Sequence, residues 1–175
     1  TIQASAGGQS AALDVVNYSL QGPIFSGPHQ EPFVCETQTY GLPGTPDENC
    51  VVPTRVSYRY RTSEGNFQPY DPDAPAPADL TQTTTVDGET VDFIVRQEAG
   101  VISRAIYEIA FLHQPGEPLP DMWTDTPGWN GRLIYTFGGG CAPAYKQGRF
   151  TGGTLRGFAA NVALAGGYAV ASSSL

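Results

Sequence analysis

Residues 132–172 constrain the fold more than any other stretch of this chain. An apolar run, RLIYTF (132–137), leads straight into Gly138-Gly139-Gly140-Cys141. Leu155, Phe158, Ala159, Val162 and Ala163 then recur at helical spacing within TLRGFAANVALA (154–165), and Gly166-Gly167 stops that helix. YAVAS (168–172) follows as a buried strand. Strand, glycine loop, crossover helix, strand is the order that builds a parallel α/β sheet.

The preceding hundred residues read differently. Val56, Tyr58 and Tyr60 alternate with Arg55, Ser57 and Arg59, a half-buried strand. Two β-rich runs, 83–86 and 90–97, flank Asp87-Gly88 and predict a hairpin. SRAIYEIAFLH (103–113) is a further strand, and the proline-rich stretch 67–81 is a surface loop. Residues 1–12 are small and polar, a frayed start or a short edge strand. The expected organisation is a β-rich extension over 1–100, then the first strands and helix of an α/β core over 101–175. A buried last strand with one covering helix needs further neighbours. The core is therefore expected to be completed by residues outside this chain, on a second polypeptide or a missing segment.

Composition narrows the function. Seventeen acidic residues against nine basic ones give a net charge of −8, which speaks against nucleic acid as a partner. No apolar run is long enough to span a membrane. Cys35 and Cys50 enclose a Gly/Pro-rich loop, and a disulfide there would add about 2–4 kcal/mol. The alternative, a metal site, lacks the Cys-x-x-Cys or histidine spacing that metals favour, and no metal or cofactor is expected. Cys141 is left over as a free thiol or a tether to another chain. Paired cysteines and a single lysine point to a secreted, extracellular protein.

Chemistry concentrates in GWNGRLIYTFGGGC (128–141). Glycines at the carboxyl end of a parallel strand can aim backbone N–H groups into a substrate crevice. The competing reading is a tight turn. Elsewhere the signals are weak. Ser10 lacks the strand, helix and glycine of a nucleophile elbow. Asp71 and Asp73 lack calcium-loop spacing. His29 and His113 read as structural more readily than as a catalytic base. Ser172, Ser173 and Ser174 end the last strand without a base.

Trp129-Asn130-Gly131, the strand, the triple glycine and GYAVAS some thirty residues on resemble the tannase and feruloyl-esterase group of secreted α/β-hydrolases. The segments 22–35, 53–61, 85–113, 127–141 and 167–175 resemble a related DUF6351-type family of exported hydrolase-like chains. The resemblance implies the N-terminal part of an α/β-hydrolase fold. It also implies a serine esterase acting through an acyl-enzyme on small or polymeric carboxylic esters, with amides as a further option. It assigns the oxyanion loop to Gly139, Gly140 and the Cys141 backbone, with Tyr145 and Gln147 as pocket lining. The family's Gly-x-Ser-x-Gly elbow has no counterpart in these 175 residues, so the triad is expected outside them. The competing class is a non-catalytic β-rich binding module presenting Tyr58, Tyr60, Phe67 and Tyr70. Proteolytic maturation after Leu175 is a third reading.

Overall fold

A two-residue turn without glycine makes the two central strands an antiparallel hairpin. Ser103 and Arg104 both adopt positive φ, at 47° and 67°, the geometry that matches the twist of a tight hairpin. It joins β7 (Ile94–Ile102) to β8 (Ala105–Leu112) in an antiparallel pair running from Ile102↔Ala105 to Val95↔Leu112. This computed structural model describes residues 1–15, 31–121, 123–124, 126–137, 146–148 and 153–174. Among these, β1 (Ile2–Ala6) and β2 (Gln9–Leu13) form an exposed hairpin. The strands β3 (Arg55–Arg61), β4 (Phe67–Pro69), β9 (Leu133–Thr136) and β10 (Ala169–Ser173) join the central pair. The six-stranded sheet has the order β4-β3-β7-β8-β10-β9. A small ribbon of β5 (Gln82–Thr84) and β6 (Thr90–Asp92) stands beside it, the hairpin predicted around Asp87-Gly88.

Within the large sheet only β9 and β10 run parallel, and the other four pairings are antiparallel. The local reading of strand, crossover, strand is thus correct for that pair, but the fold class drawn from it is not. The described residues do not form the expected N-terminal part of an α/β-hydrolase; they form a β-rich, mixed sheet with very little helix. The described helical elements are a 3-10 turn at Gln38–Tyr40 and a π-type segment at Ala159–Leu164. The physical reason lies in the tight turns. A two-residue connection permits only antiparallel neighbours, whereas parallel pairs need a long crossover.

The crossover segment also presents a different face from the one its spacing predicts. Ala159, Ala160, Ala163 and Leu164 are buried, whereas Phe158 and Val162 are more than half exposed. Wider i→i+5 winding shifts the pattern, and three alanines let the backbone lie close to the sheet. Ala159, Ala163 and Leu164 cluster with Val95, Ala110, Leu112 and Val170. Burying each of the larger side chains is worth about 1.5–3 kcal/mol. Leu42, Val52, Ala99, Val101 and Ile106 form a second cluster beneath the disulfide loop.

Candidate functional site

Strand alternation places two sets of side chains on opposite faces of the sheet. Gln97, Glu108 and Ser172 share the face that carries the crossover segment, and the register is explicit: Ala99↔Glu108, Glu108↔Ser172 and Ser172↔Thr136. Glu108 is thus two strands, roughly 10 Å, from Thr136. The triple glycine follows β9 just beyond Phe137. Because β9 and β10 are parallel, Ser172–Ser174 end at the same side of the sheet.

Those serines have structural employment. The Ser172 hydroxyl donates to the Thr136 carbonyl at 3.2 Å. Ser173 Oγ lies 2.5 Å from the Tyr135 hydroxyl. Ser174 Oγ accepts the Ile106 N–H at 3.0 Å. Gln147, expected to line a pocket, is fully buried. Its backbone N–H donates to the Val34 carbonyl at 3.1 Å, and its Oε1 accepts the Glu36 N–H at 2.6 Å. The Gly148 N–H donates to Glu36 Oε2 at 2.9 Å. Among the described residues the buried Gln147 Nε2 has no hydrogen-bond partner. Residues 146–148 are therefore pinned to 34–36, beside the Cys35–Cys50 disulfide, whose Cα atoms are 5.3 Å apart. Asp47 shapes that loop, its Oδ1 accepting the N–H groups of Asn49 and Val51. Gly139, Gly140, Cys141 and Tyr145 lie outside the described residues, as does His29.

Trp129-Asn130-Gly131 is a clasp. The Asn130 N–H donates to the Gly167 carbonyl at 2.8 Å and its Nδ2 to the Gly166 carbonyl at 3.2 Å. Its Oδ1 accepts the Arg132 N–H at 3.0 Å, and Trp129 Nε1 donates to the Arg132 carbonyl at 3.1 Å. These bonds join the entries to β9 and β10 and hold their parallel register.

A polar groove of about 580 Å³ opens on the Glu108 face. Arg55, Arg59 and Arg156 line it, with Gln97, Glu108 and Thr154 buried at its base. The base is a relay of hydrogen bonds. Arg59 Nε donates to Gln97 Oε1 at 3.3 Å, and Gln97 Nε2 donates to Thr154 Oγ1 at 3.4 Å. The Thr154 hydroxyl donates in turn to Glu108 Oε1. Arg55 spends one donor on the Gly41 carbonyl, at 2.9 Å. Sequence reading paired Arg55 and Arg59 on one strand face but could not bring Gln97, Glu108 and Thr154 to them, since those sit on three other segments.

On the opposite face, His113 is buried between the Tyr58 hydroxyl and the Pro118 carbonyl, each at 3.2 Å, a structural setting. Tyr58, Tyr60, Phe67 and Tyr70 are half-buried rather than presented to solvent. The Tyr107 hydroxyl donates to Glu98 Oε1 at 2.9 Å, and Glu98 pairs with Arg96 at 2.8 Å. Burial, then the Glu98 bond, raises the Tyr107 phenol above its usual range. Ser10 lies in the exposed first hairpin. Among the described residues no group of His, Cys, Asp and Glu is assembled to hold a metal, and no helix is long and apolar enough to cross a membrane.

Fold and site together define a disulfide-stapled, β-rich mixed-sheet protein with an arginine-lined groove over β3, β7 and β8. A family model described as a tannase-like family of unknown function (DUF6351) matches residues 1–175, and the chain belongs to that family. Neither a comparison with curated proteins nor one with solved structures returns a match.

Proposed function

We propose that this chain serves an exported carboxylic-ester hydrolase of the tannase-like kind, working through an acyl-enzyme. The observation that carries the reading is family membership over the whole chain. The sequence order supports it: a triple glycine follows a strand whose parallel neighbour ends at the same side of the sheet. In this reading Gly139, Gly140 and the Cys141 backbone donate N–H groups to the oxyanion, and Tyr145 and Gln147 line the acyl pocket. Among the described residues the buried Gln147 Nε2 has no partner, which leaves it a donor for that role. No Gly-x-Ser-x-Gly occurs in these residues, so the nucleophile, base and acid are assigned to sequence outside them. An oxidising compartment outside the cell accords with the Cys35–Cys50 bond.

Fluorophosphonate labelling of the protein isolated from its native source, read by peptide mass, tests this together with turnover of p-nitrophenyl acetate. A labelled serine outside residues 1–175 is the expected result. Labelling at Ser10 or Ser172–Ser174 would overturn the assignment of the nucleophile. Neither labelling nor turnover would overturn the hydrolase reading.

A further inference from the structure

The chain has seventeen carboxylates and only nine cationic side chains, so a surface arginine has no shortage of acidic neighbours. Three guanidinium groups nevertheless line one groove, and among the described residues none of the three makes an ion pair. Arg55 and Arg59 each commit one donor to holding position, leaving most of a five-donor fork facing the groove. Such forks match carboxylates in bidentate fashion.

A bare inorganic anion fits poorly. Arg55 and Arg59 are rooted four residues apart on one strand, about 13 Å at roughly 3.3 Å per residue, a span suited to a longer molecule. The base also holds Glu108, itself an anion, with lone pairs left over after Thr154 has donated to one oxygen. An acceptor-rich base asks for ligand hydroxyl donors, while the arginine wall asks for negative charge. Among the described lining residues only Phe67 and Leu155 are hydrophobic, too little for a ligand held by its hydrocarbon. We propose that the groove binds a polyhydroxylated carboxylate of the sugar-acid type, its carboxylate against the arginines and its hydroxyls toward Glu108. This does not depend on the hydrolase reading, because nothing in it requires turnover.

Isothermal titration of the protein isolated from its native source with galacturonate at low salt tests the proposal, with galactose, cyclohexanecarboxylate and inorganic phosphate as comparison probes. Galacturonate is expected to bind with a millimolar or tighter constant. Each comparison probe, lacking charge, hydroxyls or length, should bind about tenfold more weakly or not at all. Arg156→Gln and Arg59→Gln should each weaken galacturonate by roughly tenfold, equivalent to about 1.4 kcal/mol. Arg156 is exposed, so its variant should keep the parental unfolding midpoint and decides the matter alone if Arg59→Gln misfolds. No binding of galacturonate, equal binding by any comparison probe, or unchanged affinity in a folded Arg156→Gln protein would overturn it.

Discussion

The hydroxyl of Thr154 donates to the carboxylate of Glu108, joining the crossover segment to the middle of the sheet where both side chains are buried. A buried carboxylate needs its hydrogen bonds, and removing one partner leaves the charge uncompensated. Thr154→Val should therefore cost about 2–3 kcal/mol in urea unfolding, and Thr154→Ser should recover most of it. An undiminished stability in Thr154→Val would show that the hydroxyl bond to Glu108 is not what holds this junction.

The disulfide closes a loop between residues 15 apart. The chain-entropy relation for that length gives about 3 kcal/mol. Replacing both Cys35 and Cys50 by Ser should lower stability by about that much. Because 146–148 are pinned to 34–36, amide exchange at Gln147 and Gly148 should also accelerate in the variant. Faster exchange confined to 35–50 would show that the staple does not reach the segment after the glycines.

Tyr107 contributes to the alkaline pH dependence of stability. Its phenol is raised by burial first and by the Glu98 bond second. A folded-state pKa above the unfolded value means the native state holds its proton more tightly. The stability it contributes is complete below about pH 10 and is lost as pH rises through the folded value. Urea melts between pH 9 and pH 11, roughly spanning that onset, should show a fall in stability that Tyr107→Phe reduces. An unchanged slope in the variant would assign the alkaline transition to other groups.

Much of this arrangement is legible in the sequence, and the rest fails for identifiable reasons. Alternation marks β3, an apolar run marks β8, and Asp87-Gly88 marks the small hairpin, because each signal is local. The Ser103-Arg104 turn carries no glycine or asparagine, so nothing advertises the hairpin that makes the sheet antiparallel. The crossover has α-helical spacing in sequence, but its wider winding places Phe158 and Val162 at the surface. The groove was hidden for another reason. Arg59, Gln97, Glu108 and Thr154 are brought together only by strand register and one crossover, and register is not visible in spacing. Asn130 stood out within Trp-Asn-Gly, but its role as a clasp on Gly166 and Gly167 needs the fold.

The glycine loop offers a direct test of the proposed chemistry. Proline at position 140 removes a backbone N–H, whereas alanine keeps it. If Gly140 donates to the oxyanion, Gly140→Pro should lower kcat by roughly 10²–10³-fold with little change in KM. Gly140→Ala should retain far more activity. Equal loss in both variants would mean that backbone conformation, not the donor, is what position 140 supplies.

Gly167 sits where the helical segment ends and β10 begins, at φ +85°, and a Cβ there would lie 2.7 Å from the Gly128 carbonyl oxygen and 3.1 Å from Thr85 Cβ. Both the left-handed backbone and the contact with a main-chain oxygen oppose a side chain, and neither can be relieved by rotating a flexible neighbour. Gly167→Ala should cost about 2–4 kcal/mol. The Gly167 carbonyl also accepts the Asn130 N–H, so the strain should pass into the clasp that holds β9 beside β10. Asn130→Ala, which keeps that backbone bond but loses the side-chain bonds to Gly166 and Arg132, should cost about 1–3 kcal/mol. The double variant should lose less than the sum if both act on the same junction. Strict additivity in urea unfolding would show that the glycine and the asparagine support the sheet independently.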